Sequence, residues 1–371
     1  MNFFILAGEA SGDLHAANLA TALLHAEPSA ELTAWGGDHL RKAGAEVTKD
    51  YEELAIMGFV EIISKLPTIF KNLRQAVDEI LNKGIDAVIL VDFSGFNLRL
   101  AKRLRKKGYT GKIFYYISPK LWVWNAKRVN SFKKYIDAVF CILPFEPEFY
   151  ANHGYKHAYY IGNPLMDELS QFTPNENFLT ENQLVQKPLI ALLPGSRSNE
   201  INQVLPAMLE TVSNFPDFQF VIAGVKSMKS LIEKQLSAAN ESLPIVYDQT
   251  YDLVVNAQAA LVTSGTATLE TALLGTPLIL CYKGTAVSFW IAKQFVNIDY
   301  IGLPNLIMQK EIIPEIIQND LTAERITNTL ENLLQQGSEL QTMRADFEHL
   351  KERVGEAGAS EKAAKLILGL L

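Results

Sequence analysis

The sequence predicts an α/β protein made of two Rossmann-like halves, each a parallel sheet wrapped by helices. Three observations carry this. Short apolar runs alternate with stretches of helical spacing along the chain, the signature of parallel βαβ units. The 371 residues exceed what one ordinary core fills, so two domains are expected. A polar stretch from Gln171 to Lys187, punctuated by Pro174 and Pro188, interrupts the pattern near the middle.

In the first half, Phe3 to Ala7 reads as a buried strand, Gly8 to Asp13 as a turn and Leu14 to Leu24 as a helix. The glycines fit neither G-x-G-x-x-G nor a P-loop, so neither dinucleotide binding nor NTPase chemistry follows. Further strands are expected at Leu32–Gly36, Ile85–Val91, Lys112–Ile117, Ala138–Leu143 and Tyr159–Gly162, with a small helix around His39 and a Lys/Arg-rich one ending at Lys107. The second half offers strands at Leu189–Leu193, Phe218–Ala223, Ile245–Tyr247, Ala259–Val262 and Leu278–Tyr282, and an amphipathic C-terminal helix from about Ala359. The expected boundary between the halves lies near 165. Ligands of such sheets bind beyond the carboxyl ends of the strands, so the active site is expected in a cleft between the two halves.

Composition excludes several classes. The net charge of −7 and pI near 5.5 leave no basic field for nucleic acid. The two cysteines, Cys141 and Cys281, sit in apolar runs and read as buried free thiols of a reducing compartment. No run approaches the roughly 18 apolar residues of a membrane span. The first apolar run is too short, and lacks the basic flank, for a signal peptide. The six histidines and two cysteines show no metal-ligand spacing. No metal and no cofactor is expected.

Two turns look prepared for anions. Ser264-Gly265-Thr266 joins an apolar strand to a helix, whose free N–H groups and dipole favour negative charge. Glu270 lies one turn into that helix, an awkward place for a carboxylate unless it binds ribose hydroxyls. A capping box would need Ser or Thr at position 267, which is Ala267. Pro194-Gly195-Ser196-Arg197 is the second turn, and Arg197 offers a planar fork for phosphate oxygens. An ordinary βα loop with a surface Arg is the plainer alternative. Asp92, at a strand end, suits either a general base for a hydroxyl or an N-cap. Glu9, Ser11, Asp13 and His15 could bind an acceptor; equally, Asp13 could be a cap and His15 a packed side chain. Met57, Phe59, Val60, Ile63, Leu66 and Phe70 make 56–74 more apolar than a surface helix requires. Basic clusters at 102–107 and 127–134, with Trp122 and Trp124 beside the second, suit an anionic membrane surface or an acylated, phosphorylated substrate.

Six motifs then occur in order: Gly8-Glu9-Ala10-Ser11-Gly12-Asp13, Val91-Asp92-Phe93-Ser94-Gly95-Phe96-Asn97, Ser118-Pro119 with Trp122-Val123-Trp124, Leu193-Pro194-Gly195-Ser196-Arg197, Ser264 through Glu270, and Leu303-Pro304-Asn305. Together, with their spacing, they resemble the lipid-A-disaccharide synthases, inverting glycosyltransferases of Gram-negative bacteria, from about residue 3 to residue 310. The resemblance implies a GT-B fold, two Rossmann-like domains facing across a cleft. It alone implies that the segment from about 350 to 371 joins residues 1–165, leaving 166–349 as the second domain. It implies transfer of 2,3-diacylglucosamine from UDP-2,3-diacylglucosamine to the 6-hydroxyl of 2,3-diacylglucosamine 1-phosphate, giving a β-1,6 disaccharide and UDP. Arg197, Glu270 and Asn305 match positions of the UDP-sugar site, to which Gly195, Ser196, Ser264, Gly265 and Thr266 are added. Asp92 matches the acidic residue needed for catalysis. Gly8, Glu9, Ser11, Gly12, Asp13 and His15 belong to the cleft-facing loop and the start of its helix, although His15-Ala16 departs from the family's usual small or aliphatic residue followed by Gly. The implied place is the cytoplasmic face of the inner membrane, with its surface lipids as partners. Oligomeric state stays open, a homodimer included.

Three competing readings remain at this point. A UDP-N-acetylglucosamine 2-epimerase would share the plan but need no acyl-binding surface. A transferase acting on a polyprenyl-linked sugar would need a more Gly-rich first loop. A nucleotide-sugar sensor would have no use for Asp92.

Overall fold

The computed structural model describes residues 1–54, 66–124, 126–284, 299–335 and 337–371. The chain divides into two compact units, Met1–Glu168 with Gly355–Leu371, and Leu169–Val354. Each is an α/β unit around a parallel sheet, as the alternation of apolar runs and helical spacing predicts.

The sheet of the first unit has seven strands among the described residues: β1 (Asn2–Ala7), β2 (Glu31–Gly36), β3 (Glu46–Asp50), β4 (Ala87–Val91), β5 (Lys112–Tyr116), β6 (Ala138–Cys141) and β7 (Ala158–Tyr160). Their order is β3-β2-β1-β4-β5-β6-β7. The central strands are apolar on both faces because helices cover both, so β1 and β4 are buried almost throughout. One core face gathers Phe4, Leu6, Val88, Leu90 and Tyr115 with the helices Leu66–Asn82 and Ser94–Lys106. The other gathers Phe3, Ile5, Ile89 and Phe114 with the helix Ala10–Ala26 and the C-terminal helix Ala359–Leu370. That last helix contributes Ala363, Ala364 and Ile367, and Ser360 meets the Tyr116 hydroxyl at 3.2 Å.

The sheet of the second unit comprises β8 (Leu189–Leu193), β9 (Gln219–Gly224), β10 (Ile245–Tyr247), β11 (Ala257–Thr263), β12 (Leu278–Tyr282) and β13 (Glu315–Ile317), ordered β10-β9-β8-β11-β12-β13. In both units the chain runs outward to one side, returns to the middle, and continues to the other side. The order therefore reverses between β1 and β4, and again between β8 and β11. Such switch points leave a crevice beyond the strand ends.

Two expectations change here. The helix after β1 starts at Ala10, not Leu14, so Ser11, Gly12 and Asp13 lie in its first turn. The amide of Asp13 already donates to the Glu9 carbonyl at 2.9 Å, and small side chains at 10–12 leave that turn unobstructed. Edge strands β3 and β13 were not expected, because Glu46–Asp50 is largely polar and Glu315–Ile317 spans only three residues. Cys141 and Cys281 are buried free thiols, as expected.

Candidate active site

In the first unit, pairing places Ala7 of β1 opposite Val91 of β4. Gly8 and Asp92 are the next residues on each strand, so the Gly8 loop and Asp92 emerge together at the switch point. Beside them β5 ends with Tyr116 opposite Val91, and leads to Ser118, Pro119 and Lys120. Glu9 is the exposed N-cap of the helix that follows, and Ser11 is exposed in its first turn.

Asp92 is not an N-cap; that position falls to Phe93. Its side chain is open to solvent on one side and crowded by protein on the other. The crowding pushes the carboxyl above the usual carboxylate range, against the opposing pull of the Lys120 ammonium, the Phe93 amide and His15. A base with a raised pKa abstracts a proton better near neutral pH than an ordinary carboxylate. His15 lies half-buried on the same side, and its buried Nδ1 has no hydrogen-bond partner among the described residues. Burial lowers its pKa, opposed by Glu168, Asp92 and Asp167. Lys120 was not singled out from the sequence: lysine in a loop is unremarkable until the sheet brings that loop beside Asp92.

Asp13 has a different role from the ones expected. It is fully buried, and its two carboxylate oxygens accept the amides of Gly37 at 2.7 Å and His39 at 3.0 Å. It caps the neighbouring helix Asp38–Lys42 rather than its own, and both oxygens are engaged in doing so.

In the second unit, Leu193 of β8 pairs with Val262 of β11. The two anion turns therefore lie side by side at the switch point. Gly265 has φ 155° and ψ −161°, a region essentially reserved for glycine, and no described residue lies within 4 Å of where a side chain would start. The turn is thus open in front, with the helix Thr266–Leu273 behind it. Glu270 is half-buried on that helix and accepts a hydrogen bond from the Tyr251 hydroxyl at 3.2 Å. No side chain caps the helix start, so Glu270 is no capping-box residue.

At the other turn Gly195 has φ +103°, and the Glu200 carboxylate lies 2.5 Å from where its Cβ would be. Glu200 accepts the amides of Ser196 and Arg197, and Arg197 Nη1 donates to it at 3.2 Å. The Arg197 side chain remains 82% exposed, so its fork is still presented to solvent.

Asn305 is held by the fold on every polar atom. It is fully buried in the helix Leu303–Met308. Its Nδ2 donates to the Ile313 carbonyl and to Glu315, and its Oδ1 accepts the amides of Ile312 and Ile313. An amide side chain has two donors and two ordinary acceptor sites, and all four are taken. Asn305 locks the segment before β13 and has nothing left for a direct ligand contact.

Of the expected apolar patch, Met57, Phe59, Val60 and Ile63 lie outside the described residues. Leu66 opens the helix Leu66–Asn82. Phe70 on that helix is 55% exposed, and the Arg103 guanidinium sits 5.3 Å from its ring centre. Exposed Lys71, Arg74, Lys102 and Lys106 lie on the same pair of helices. Arg105 is not part of a free basic face: it bonds the carbonyls of Tyr109 and Gly111 and pairs with Asp137. No helix of the described residues is long and apolar enough to cross a membrane.

A family model described as lipid-A-disaccharide synthetase matches residues 3–368. The chain belongs to the lipid-A-disaccharide synthase family. Among its relatives are the lipid-A-disaccharide synthases of Syntrophus aciditrophicus, 36% identical over 99% of this chain and 97% of that protein, and of Nitrosococcus oceani, 36% identical over 99% and 95%. That of Geobacter sulfurreducens is 33% identical over 99% and 96%. Similar solved structures include a UDP-GlcNAc 2-epimerase from Neisseria meningitidis bound to UDP-GlcNAc, with TM-score 0.68, 12% identity and full coverage of both chains. A sucrose-phosphate synthase from Thermosynechococcus elongatus aligns with TM-score 0.62 and 13% identity over 100% and 99%. At such identities the likeness speaks for the fold alone, and that fold is GT-B. The synthase family, matched across nearly the whole chain, is a family of glycosyltransferases, and the epimerase alternative is not favoured.

Proposed function

We propose that the protein transfers 2,3-diacylglucosamine from UDP-2,3-diacylglucosamine to the 6-hydroxyl of 2,3-diacylglucosamine 1-phosphate, releasing UDP and a β-1,6-linked disaccharide phosphate. The family match over residues 3–368 carries this reading. The chemistry of the two switch points supports a division of labour, with the acceptor and the base in the first unit and the donor in the second.

Inversion at the anomeric carbon needs one displacement and one base. The acceptor hydroxyl loses its proton to Asp92 as its oxygen attacks the carbon from the face opposite UDP. Asp92 suits this because it stands at a strand end, open to solvent, with a raised pKa. As the bond to UDP breaks, negative charge grows on the diphosphate. The Arg197 fork and the helix starts at Ser198 and Thr266 are disposed to stabilise it. Glu270, steadied by Tyr251, takes the ribose hydroxyls. Asp13 and Asn305 serve by holding backbone, and the Gly8–Glu9 turn with Ser11 borders the acceptor.

Both proposed substrates carry acyl chains. The exposed Phe70, the nearby Arg103 and the lysines of the same helices suit an anionic inner-membrane surface, which we propose the protein visits peripherally from the cytoplasmic side. The direct test is to incubate the purified protein with both acylated sugars and assay UDP and disaccharide. Formation of neither, or isomerisation of a non-acylated UDP-sugar without an acceptor, would remove this reading.

A further inference from the structure

The backbone that leaves β4 is strained. Asp92 has φ 43° and Phe93 has φ 40°, two consecutive non-glycine residues in the left-handed region. Left-handed backbone is unfavourable for residues with a Cβ, so the step persists only if its surroundings hold it.

Two buried side chains do so. Asn97 Nδ2 donates to the carbonyl of Asp92 at 2.8 Å and to that of Val91 at 3.1 Å. The hydroxyl of Tyr115, from the neighbouring strand β5, donates to the same Asp92 carbonyl. Both residues are 0% exposed. Burial pushes the Tyr115 hydroxyl well above its usual pKa, so it stays a donor at any ordinary pH. The Asp92 amide is pinned as well, donating to the Tyr116 carbonyl at 3.3 Å. On the far side the Phe93 ring stacks on Phe96 and lies where a side chain at Gly8 would be.

The arrangement has its own cost. Asn97 Oδ1 is buried with no hydrogen-bond partner among the described residues, which is unfavourable for a polar atom. A merely structural strand exit would not need this: a right-handed turn with an apolar residue at 97 would avoid both the strain and the orphaned oxygen. The left-handed step does one thing that such a turn would not. It turns the Cα–Cβ bond of Asp92 out of the alternation of β4, so the direction in which the side chain leaves the strand end depends on the backbone at this residue.

We infer that Asn97 and Tyr115 are positioning residues that aim the Asp92 carboxylate by clamping its main-chain carbonyl. This rests on the reading of Asp92 as the base. Neither residue touches substrate; both act through Asp92.

The test uses the full chain and the transfer assay, with Asp92→Asn as reference and Tyr115→Phe and Asn97→Ala as probes. Tyr115→Phe removes one oxygen and keeps the ring packed against Phe132, so it is the variant expected to fold. Circular dichroism and thermal midpoints establish the folded fraction, to which the rates are normalised. The expected result for Tyr115→Phe is a kcat about tenfold to a hundredfold lower, the scale of a misaimed catalytic group, with KM for both sugars within about twofold. The acid limb of the pH–rate profile should also shift, since the carboxylate now samples other positions relative to Lys120 and His15. Two losses on one carbonyl should be non-additive in the double variant. Normal kcat and an unchanged pH profile in folded Tyr115→Phe, beside an inactive Asp92→Asn, would overturn the clamp while leaving the base in place. Near-normal turnover by Asp92→Asn would overturn both. A rate loss fully accounted for by unfolded protein would reduce Tyr115 to a structural residue and also overturn the inference.

Discussion

The amide of Ser196 donates to Oε2 of Glu200 across 3.2 Å, so the proposed donor turn is shaped by a carboxylate of its own helix. The Arg197 amide reaches the same oxygen at 3.3 Å, and the guanidinium leans on the other oxygen. The exposed ion pair adds little stability by itself. Its value is that it presets the turn and the direction of Arg197. Replacing Glu200 with Ala should therefore weaken the donor site more than the fold. We expect KM for the UDP-sugar to rise about tenfold, the equivalent of losing one charge-assisted cap, with a thermal midpoint lowered by only a few degrees. Steady-state kinetics at saturating acceptor measure this, and tighter UDP-sugar binding in the variant would show instead that Glu200 competes with the ligand.

Asp92→Asn keeps shape and volume but leaves no base. Turnover should fall by about 10²-fold or more, while UDP-sugar binding measured by calorimetry stays unchanged. Retained turnover would remove Asp92 from the mechanism.

Lys120 favours the charged form of Asp92. Activity requires the deprotonated base, so the acid limb of kcat/KM rises through the Asp92 pKa. Lys120→Met removes the cation and should move that limb to higher pH. A limb that stays put, or moves down, contradicts the proximity of these two groups in solution.

Tyr251→Phe removes a hydrogen bond that steadies Glu270 from a neighbouring helix. Affinity for UDP should drop by about threefold to tenfold, in line with the net worth of one ordinary hydrogen bond acting through Glu270, and Glu270→Gln should cost more. If Tyr251→Phe still costs affinity in the Glu270→Gln background, the two do not act as one unit, and a double-variant cycle reads this directly.

Glu146 makes the first unit sensitive to pH away from the proposed chemistry. It is 1% exposed, and burial raises its pKa from 4.5 to about 7, although the Leu143 and Ile142 amides and the Trp122 indole favour its charge. The folded state thus keeps the proton longer than the unfolded chain. The stability linked to this group is complete below about pH 4.5, declines as pH rises toward about 7, and is level above that. The change is on the order of 3 kcal/mol. Glu146→Gln mimics the protonated form and should flatten urea midpoints across this range; an unchanged slope would show that another group carries it.

Much of the fold was legible because central parallel strands are apolar on both faces. Phe3–Ala7, Ala87–Val91 and Leu189–Leu193 announce themselves without any knowledge of their neighbours. The edge strands Glu46–Asp50 and Glu315–Ile317 do not, because a strand with one neighbour needs few apolar side chains. The same limit governs the candidate site. Gly265, Arg197 and Asp92 could be picked out because turn chemistry and charge are local properties. Tyr115 reads as one more aromatic in a core strand, and Asn97 as one more polar residue in a helix, until pairing of β4 with β5 brings both to one carbonyl.

The class of fold, the two halves, the family and the turns where ligands are expected can all be read from the chain alone. Each of these depends on periodicity or on residues close together in the chain. Which polar residues are consumed by the fold depends on strand pairing and burial, which no local stretch of sequence shows. Asn305 and Asp13 look like binding residues in the sequence, yet buried polar groups nearly always take partners, and theirs include the backbone amides of Ile312, Ile313, Gly37 and His39. Glu270 and Asp92 keep a face toward solvent because each follows a strand end at a switch point, where strand order, and not local sequence, leaves the crevice open.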